Sequence, residues 1–171
     1  MSKKADYSGD EWKALLTAPL MAGLAVAAAS PSGPIGVLRE LFAVGKLLAE
    51  TKSQAQSPDG PHNELLQALV TDLASADGRA QVDAAGLRGL GSEQAKAHAL
   101  AACRALAAIV DRKASPDEAE GVKRWLVTIA QRTAEAAKEG GFLGIGGTRV
   151  SHGEVAAIRD VAGALGVTSP V

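Results

Sequence analysis

The sequence predicts an all-α fold, a single-domain bundle of six or seven helices. Apolar residues recur at helical spacing in nearly every segment. The segment boundaries carry the serines, first-turn prolines and glycines that start and stop helices. No window alternates β-branched and polar residues at period two, so no strand is expected. The 171 residues, 47% hydrophobic and 22% charged, suit one globular domain. A chain of this length buries a sizeable core without a disulfide or structural metal.

Residues 1–8 read as a flexible lead. Ser8 and Glu11 then form a capping box: the hydroxyl takes a free backbone N–H and the carboxylate reaches back to another. A helix from about residue 9 to 29 follows, with Pro19 expected to bend it. Its small residues Ala18, Ala22, Gly23 and Ala27 make a face against which another helix can dock closely. Ser30-Pro31-Ser32-Gly33 ends this helix, and Pro34 starts a second one with Leu38, Leu41, Phe42, Gly45 and Leu48 on one side. The polar stretch 51–61, rich in Pro and Gly, links helices.

Leu65, Leu66, Leu69, Val70 and Leu73 form the next amphipathic stripe, with Gly78 as its expected C-terminal stop. Val82 to Gly91 reads as a short, weak helix or an irregular connection. Ser92 caps a helix over about 93–112 that is apolar almost all round and is therefore expected in the middle of the bundle. Ser115-Pro116-Asp117-Glu118 is the strongest helix start in the chain. Val122, Trp125, Leu126, Ile129, Thr133 and Ala136 make the inner face of that helix, and Glu120 with Arg124 makes an outer i,i+4 pair. Gly140-Gly141 stops it and opens a Gly-rich loop over 140–150. Ser151 and Glu154 form a further capping box, and Val155, Ile158, Val161, Ala162 and Leu165 line the last helix up to Gly166.

A net charge of -1 and a pI near 6.3 supply no global basic field, so no nucleic-acid partner is expected. Between Lys13 and Arg39 no residue is charged, a run of about 25 residues that is long enough to span a bilayer. Three prolines, several hydroxyls and the excess of Ala over Leu and Ile argue against a membrane span. A signal peptide ending near Ala29 is the alternative, but Asp6, Asp10 and Glu11 stand where its basic region belongs. The single cysteine, Cys103, agrees with a reducing compartment, and the cytoplasm is the expected location.

Three constellations invite a chemical reading. In the Gly-rich loop, Gly141, Phe142, Gly144 and Gly146 with Arg149 read as a ligand or gating loop, or as an apolar plug between two helices. The loop follows a helix, which is not the strand-turn-helix context of a phosphate loop. Asp72, Asp77 and Asp83 could gather at a turn as oxygen ligands for a divalent cation, though their spacing is not that of an EF-hand. His62, His98 and His152 are scattered. Cys103 lies five residues after His98, about 140° away on a helix, so the two do not make a nucleophile and base. Cys103 reads as a small buried hydrophobe. No cofactor motif appears in the sequence.

Two stretches, EWKALLTAPLMAGLAVAAASPSG at 11–33 and RWLVTIAQRTAEAAKEGGFLGIGGTRVSHGEVAAI at 124–158, resemble an uncharacterised family of small Ala-rich bacterial proteins. That resemblance implies a bacterial source and an all-helical fold, and it transfers no catalytic residue. LASADGRAQVD at 73–83 is similar to TerB-like helical domains, which implies a divalent-metal site at the Asp77-Gly78 turn. The earlier candidate turn, Ser30-Pro31-Ser32-Gly33, lacks the acid which such a site needs. The residues together predict a non-enzymatic module that acts by contact with another protein or a second copy of itself. A binder of an apolar small molecule or lipid surface is the alternative, and a divalent-metal-binding domain the second.

Overall fold

In the computed structural model, which describes residues 2–29, 63–82, 89–139 and 151–169, the Ser8 capping box is formed as its sequence implies. Glu11 N–H donates to Ser8 Oγ at 3.2 Å and Ser8 N–H donates to Glu11 Oε2 at 2.8 Å. The helix it starts, α1 (Gly9–Ala27), continues through Pro19. The proline carries no N–H, so the helix loses one ladder bond there and still keeps its packing. Trp12, Leu15, Leu16, Ala18, Met21, Ala22, Ala25 and Val26 are buried, over more than half of the circumference of α1, and the remaining edge carries the exposed Asp10 and Lys13 and the half-buried Leu20 and Leu24. A helix apolar over most of its circumference belongs at the centre, and α1 touches each of the other five described helices.

Those five are α2 (Glu64–Ala74), α3 (Ala76–Gln81), α4 (Ser92–Lys113), α5 (Pro116–Glu139) and α6 (His152–Leu165). No strand occurs among the described residues, and the chain folds as an all-α bundle. One 3-10 turn, Lys4–Asp6, precedes α1. The helix expected from Pro34, the 51–61 linker, His62 and the 140–150 loop lie outside the described residues.

The stripe on α2 is oriented as its spacing requires, with Leu65, Leu69, Val70 and Leu73 buried. Its stop is Ser75, not Gly78. Ser75 leaves the helical conformation, donates its hydroxyl to the Asp72 carbonyl at 2.7 Å and accepts from Gly78 N–H at 2.9 Å, so it ends α2 and caps α3. Gly78 sits inside α3 because a side chain there would overlap the Asp72 carbonyl. It is therefore a close-approach glycine instead of a helix terminator.

α4 departs from expectation in two respects. Its N-cap is Gly91, one residue before Ser92, and it is not the middle helix. Cys103, Leu106, Ile109 and Val110 face the core, while Ala97, Ala101, Ala105 and Ala108 face solvent. Alanine counts as apolar in a pattern, yet it exposes so little surface that it sits outside at small cost.

α5 starts on the expected box, with Ser115 N–H and Oγ donating to Glu118 and Glu118 N–H donating back at 3.3 Å. Val122, Trp125, Leu126, Ile129 and Thr133 are buried. The Glu120–Arg124 pair closes at 2.6 Å. α6 repeats the box at Ser151 and Glu154 and ends at Gly166, whose φ of 70° lets Val167 N–H reach the Ala162 carbonyl at 3.0 Å.

Candidate functional site

The small-residue face predicted for docking, Ala18, Ala22, Gly23 and Ala27, is buried inside this chain. Its alanines and glycine let neighbouring helices approach α1 closely, so the docking it serves is intramolecular. Of the three aspartates read as cation ligands, Asp72 is already engaged. Lys4 Nζ lies 2.6 Å from its carboxylate and Trp12 Nε1 donates to it at 2.8 Å. Burial works to raise the Asp72 carboxyl, but those hydrogen bonds and the Lys4 charge outweigh it and hold the group below the usual range. Asp77 lies exposed in the first turn of α3, and Asp83 is outside the described residues. Among the described residues, no three His, Cys, Asp or Glu side chains are grouped to hold a metal ion. Gly141, Phe142, Gly144, Gly146 and Arg149 are also outside them.

Residues 2–8, which the sequence marks as a flexible lead, are fastened to the bundle. Ser2 N–H points at both oxygens of the buried Glu118 carboxylate, at 3.0 and 3.2 Å, and Tyr7 OH donates to Ser2 Oγ at 3.1 Å. Lys113 Nζ donates to Glu11 at 2.6 Å and to the Asp6 carbonyl at 2.9 Å, and Arg112 donates to the other Glu11 oxygen at 2.7 Å. The Lys113 hydrogen bond first, then the Ser8 N–H, hold the Glu11 carboxyl down at about 2. At Glu118 burial pushes upward, and the Ser115 and Ser2 backbone donors outweigh it, leaving that carboxyl lowered as well. This cluster joins the lead and α1 to α2, α4 and α5. Its groups satisfy one another, which suits a fastening.

Cys103 is fully buried, and burial pushes its thiol up to about 12, so it stays protonated and inert at neutral pH. His98, five residues away, is exposed on a different face. The two do not form a catalytic pair.

The surface feature that the sequence reading missed lies along α4. A cleft of about 320 Å³ runs between α1 and α4, lined by Asp10, Lys13, Ala14 and Thr17 on one side and His98, Ala102 and Ala105 on the other. Beside it Ala97, Ala101, Ala105 and Ala108 form the outer face of the helix. The exposed positions of α5 differ in kind, with Arg124, Thr128, Arg132 and Glu135. The signal was present in the sequence, since Arg104 is the only charge between Lys96 and Asp111. Burial and a bare outer face both explain such a gap, and only packing separates them.

Of the six charged residues on α4, four are paired. Lys96 meets Asp160 at 2.7 Å, Asp111 meets the buried Lys123 at 2.5 Å, and Arg112 and Lys113 both meet Glu11. Glu93 and Arg104 have no ion-pair partner among the described residues, and both are exposed on the alanine face.

Comparison with protein-family models, curated proteins and solved structures finds no match.

Proposed function

We propose that this protein is a helical interaction module that works by surface contact instead of catalysis, and that its contact surface is the outer face of α4 with the adjoining α1/α4 cleft. The observation that carries this reading is the exposed row Ala97, Ala101, Ala105 and Ala108. Small side chains have little rotamer entropy to lose, and they let a second helix backbone come close. The cleft is open, and Ala14, Ala102 and Ala105 share its lining with Asp10, Lys13, Thr17 and His98, so it suits a docked helix more than an enclosed small molecule.

No helix among the described residues is long and apolar enough to cross a membrane. We further propose that residues 1–29 are retained in the working protein, because cleavage near Ala29 removes the helix around which the bundle packs. Intact mass of protein recovered from its own cells tests this second reading, and loss of the first 29 residues overturns it.

The contact surface is tested by placing a photo-crosslinking amino acid at position 101, with position 124 on the exposed side of α5 as control. Adducts formed at 101 and not at 124 support the reading. Equal yields at both sites, or none at 101, overturn it.

A further inference from the structure

Of residues 2–7, only Ser2 and Tyr7 have buried side chains. The bundle holds this segment at three points, each on a different helix. Ser2 N–H donates to the Glu118 carboxylate on α5, at 3.0 Å to the nearer oxygen. Lys4 Nζ meets Asp72 on α2 at 2.6 Å, and Lys113 on α4 donates to the Asp6 carbonyl at 2.9 Å. Each of these three anchors has a second partner inside the bundle. Glu118 also accepts from Ser115 N–H and Oγ, Asp72 accepts from Trp12 Nε1, and Lys113 donates to Glu11. Breaking a hydrogen bond or ion pair is costly chiefly when it leaves a buried group unsatisfied. Lifting residues 2–7 away leaves every one of the three anchors still engaged. Ser8, which caps α1 with Glu11, stays in place as well. The one large apolar group withdrawn is the Tyr7 ring, whose centroid lies 5.7 Å from that of Trp12.

We infer that residues 2–7 are a strap that opens and closes as one unit on a bundle that stays folded, turning at Ser8. The strap moves as a unit because it is closed on itself. Tyr7 OH donates to Ser2 Oγ at 3.1 Å, which joins its two ends, and Lys3 N–H donates to Asp6 Oδ2 at 2.6 Å across the 3-10 turn between them. Seating one end therefore seats the other. The holds are polar, whereas the bundle beneath is held by buried Leu15, Leu16, Leu69, Leu106 and Leu126. Opening of the strap is accordingly a local event, well below the free energy of global unfolding. In the closed state Glu118 takes a main-chain N–H of the strap and Lys113 takes a main-chain carbonyl. Opening presents this acceptor and this donor to solvent, together with the edge of Trp12 that faces the Tyr7 ring.

Fluorine NMR of the full chain tests the inference. Tyr7 is the single tyrosine, so fluorotyrosine labelling gives one signal, and it comes from the strap. Cys103, the single cysteine and fully buried, reports the bundle through its rate of modification by an aromatic disulfide. The wild type is expected to show a main signal for seated Tyr7 and a minor one at the shift of the urea-unfolded chain, or one averaged signal displaced toward that shift. Lys4→Ala removes the ion pair with Asp72 and the Lys4 contact with the Trp12 ring. Asp72→Asn removes the same pair and keeps an oxygen for Trp12 Nε1. Each variant is expected to raise the ratio of open to closed Tyr7 about fivefold, with Cys103 modification unchanged. The double variant is expected to open no further than Lys4→Ala alone, since both changes remove one interaction. A Tyr7 signal that stays closed in the wild type and both variants overturns the inference, because the strap is then fixed. An open fraction that Lys4→Ala leaves unchanged also overturns it, because the segment then frays residue by residue. So does an open fraction that rises in step with Cys103 modification, because the strap then parts only when the bundle unfolds.

Discussion

The Glu11 carboxylate serves two structures at once. It closes the capping box of α1 and takes the charges of Lys113 and Arg112 at the far end of α4. Its folded value of about 2 lies below the ordinary 4.5, so its contribution is complete above about pH 4.5 and is lost as the pH falls through 2. Glu11→Gln is expected to melt at a lower temperature than wild type at neutral pH, with the gap closing as the pH approaches and passes 2; thermal scans across that range measure it. At Gly78 the Asp72 carbonyl occupies the place of a side chain, and Gly78→Ala is expected to destabilise by about 1–3 kcal/mol. Gly163, with open space around it, is the control. Gly163→Ala is expected to stabilise α6 by about 0.5–1 kcal/mol in urea titration. The Ser8–Glu11 box is legible in the sequence because it spans three residues. The second role of Glu11 is not, since its partners lie about a hundred positions downstream and only folding brings them together.

At the scale of elements, helix starts are more legible than helix positions. Ser8, Ser115 and Ser151 each cap with a glutamate three residues on, which is local chemistry that the sequence states directly. Ser151→Ala is expected to cost about 1 kcal/mol, as a chemical denaturation midpoint reports. Gly78 misleads because a glycine near the end of an apolar stripe signals a stop by default, whereas Ser75 already supplies one. The exchange between α1 and α4 has a similar origin. Both lack charge over long stretches, but α1 buries the large side chains Leu15, Leu16, Met21 and Val26, whereas α4 has the alanines 97, 101, 105 and 108 on its outer face. Side-chain size, more than polarity, decides which of the two the bundle encloses. Leu106→Ala, on the inner face of α4, is expected to cost about 2–5 kcal/mol, as truncation of a buried leucine does, in contrast to changes at the exposed alanines of the same helix.

For the molecule as a whole, the fold class follows from periodicity and caps, and the candidate contact surface does not. An exposed alanine and a buried one are identical letters, and the unpaired state of Glu93 and Arg104 is visible only once the partners of the other charges on α4 are placed. A chain lacking residues 1–29 is expected not to fold, because every other described helix loses a neighbour. Far-ultraviolet circular dichroism and amide dispersion in NMR spectra measure this. A folded truncation contradicts the central role of α1.

The order of the helices has a consequence for synthesis. α1 is made before the helices that enclose it, and the end of its main neighbour α4 follows 86 residues after the end of α1. At ribosomal rates of about 5–20 residues per second, that leaves α1 waiting for roughly 4–17 seconds. During this interval the most apolar helix of the described chain is outside the ribosome without the surfaces that cover it. The nascent chain is therefore most prone to aggregate before α4 emerges, and a chain stalled on the ribosome just short of Ser92 should recruit chaperones that the finished bundle does not.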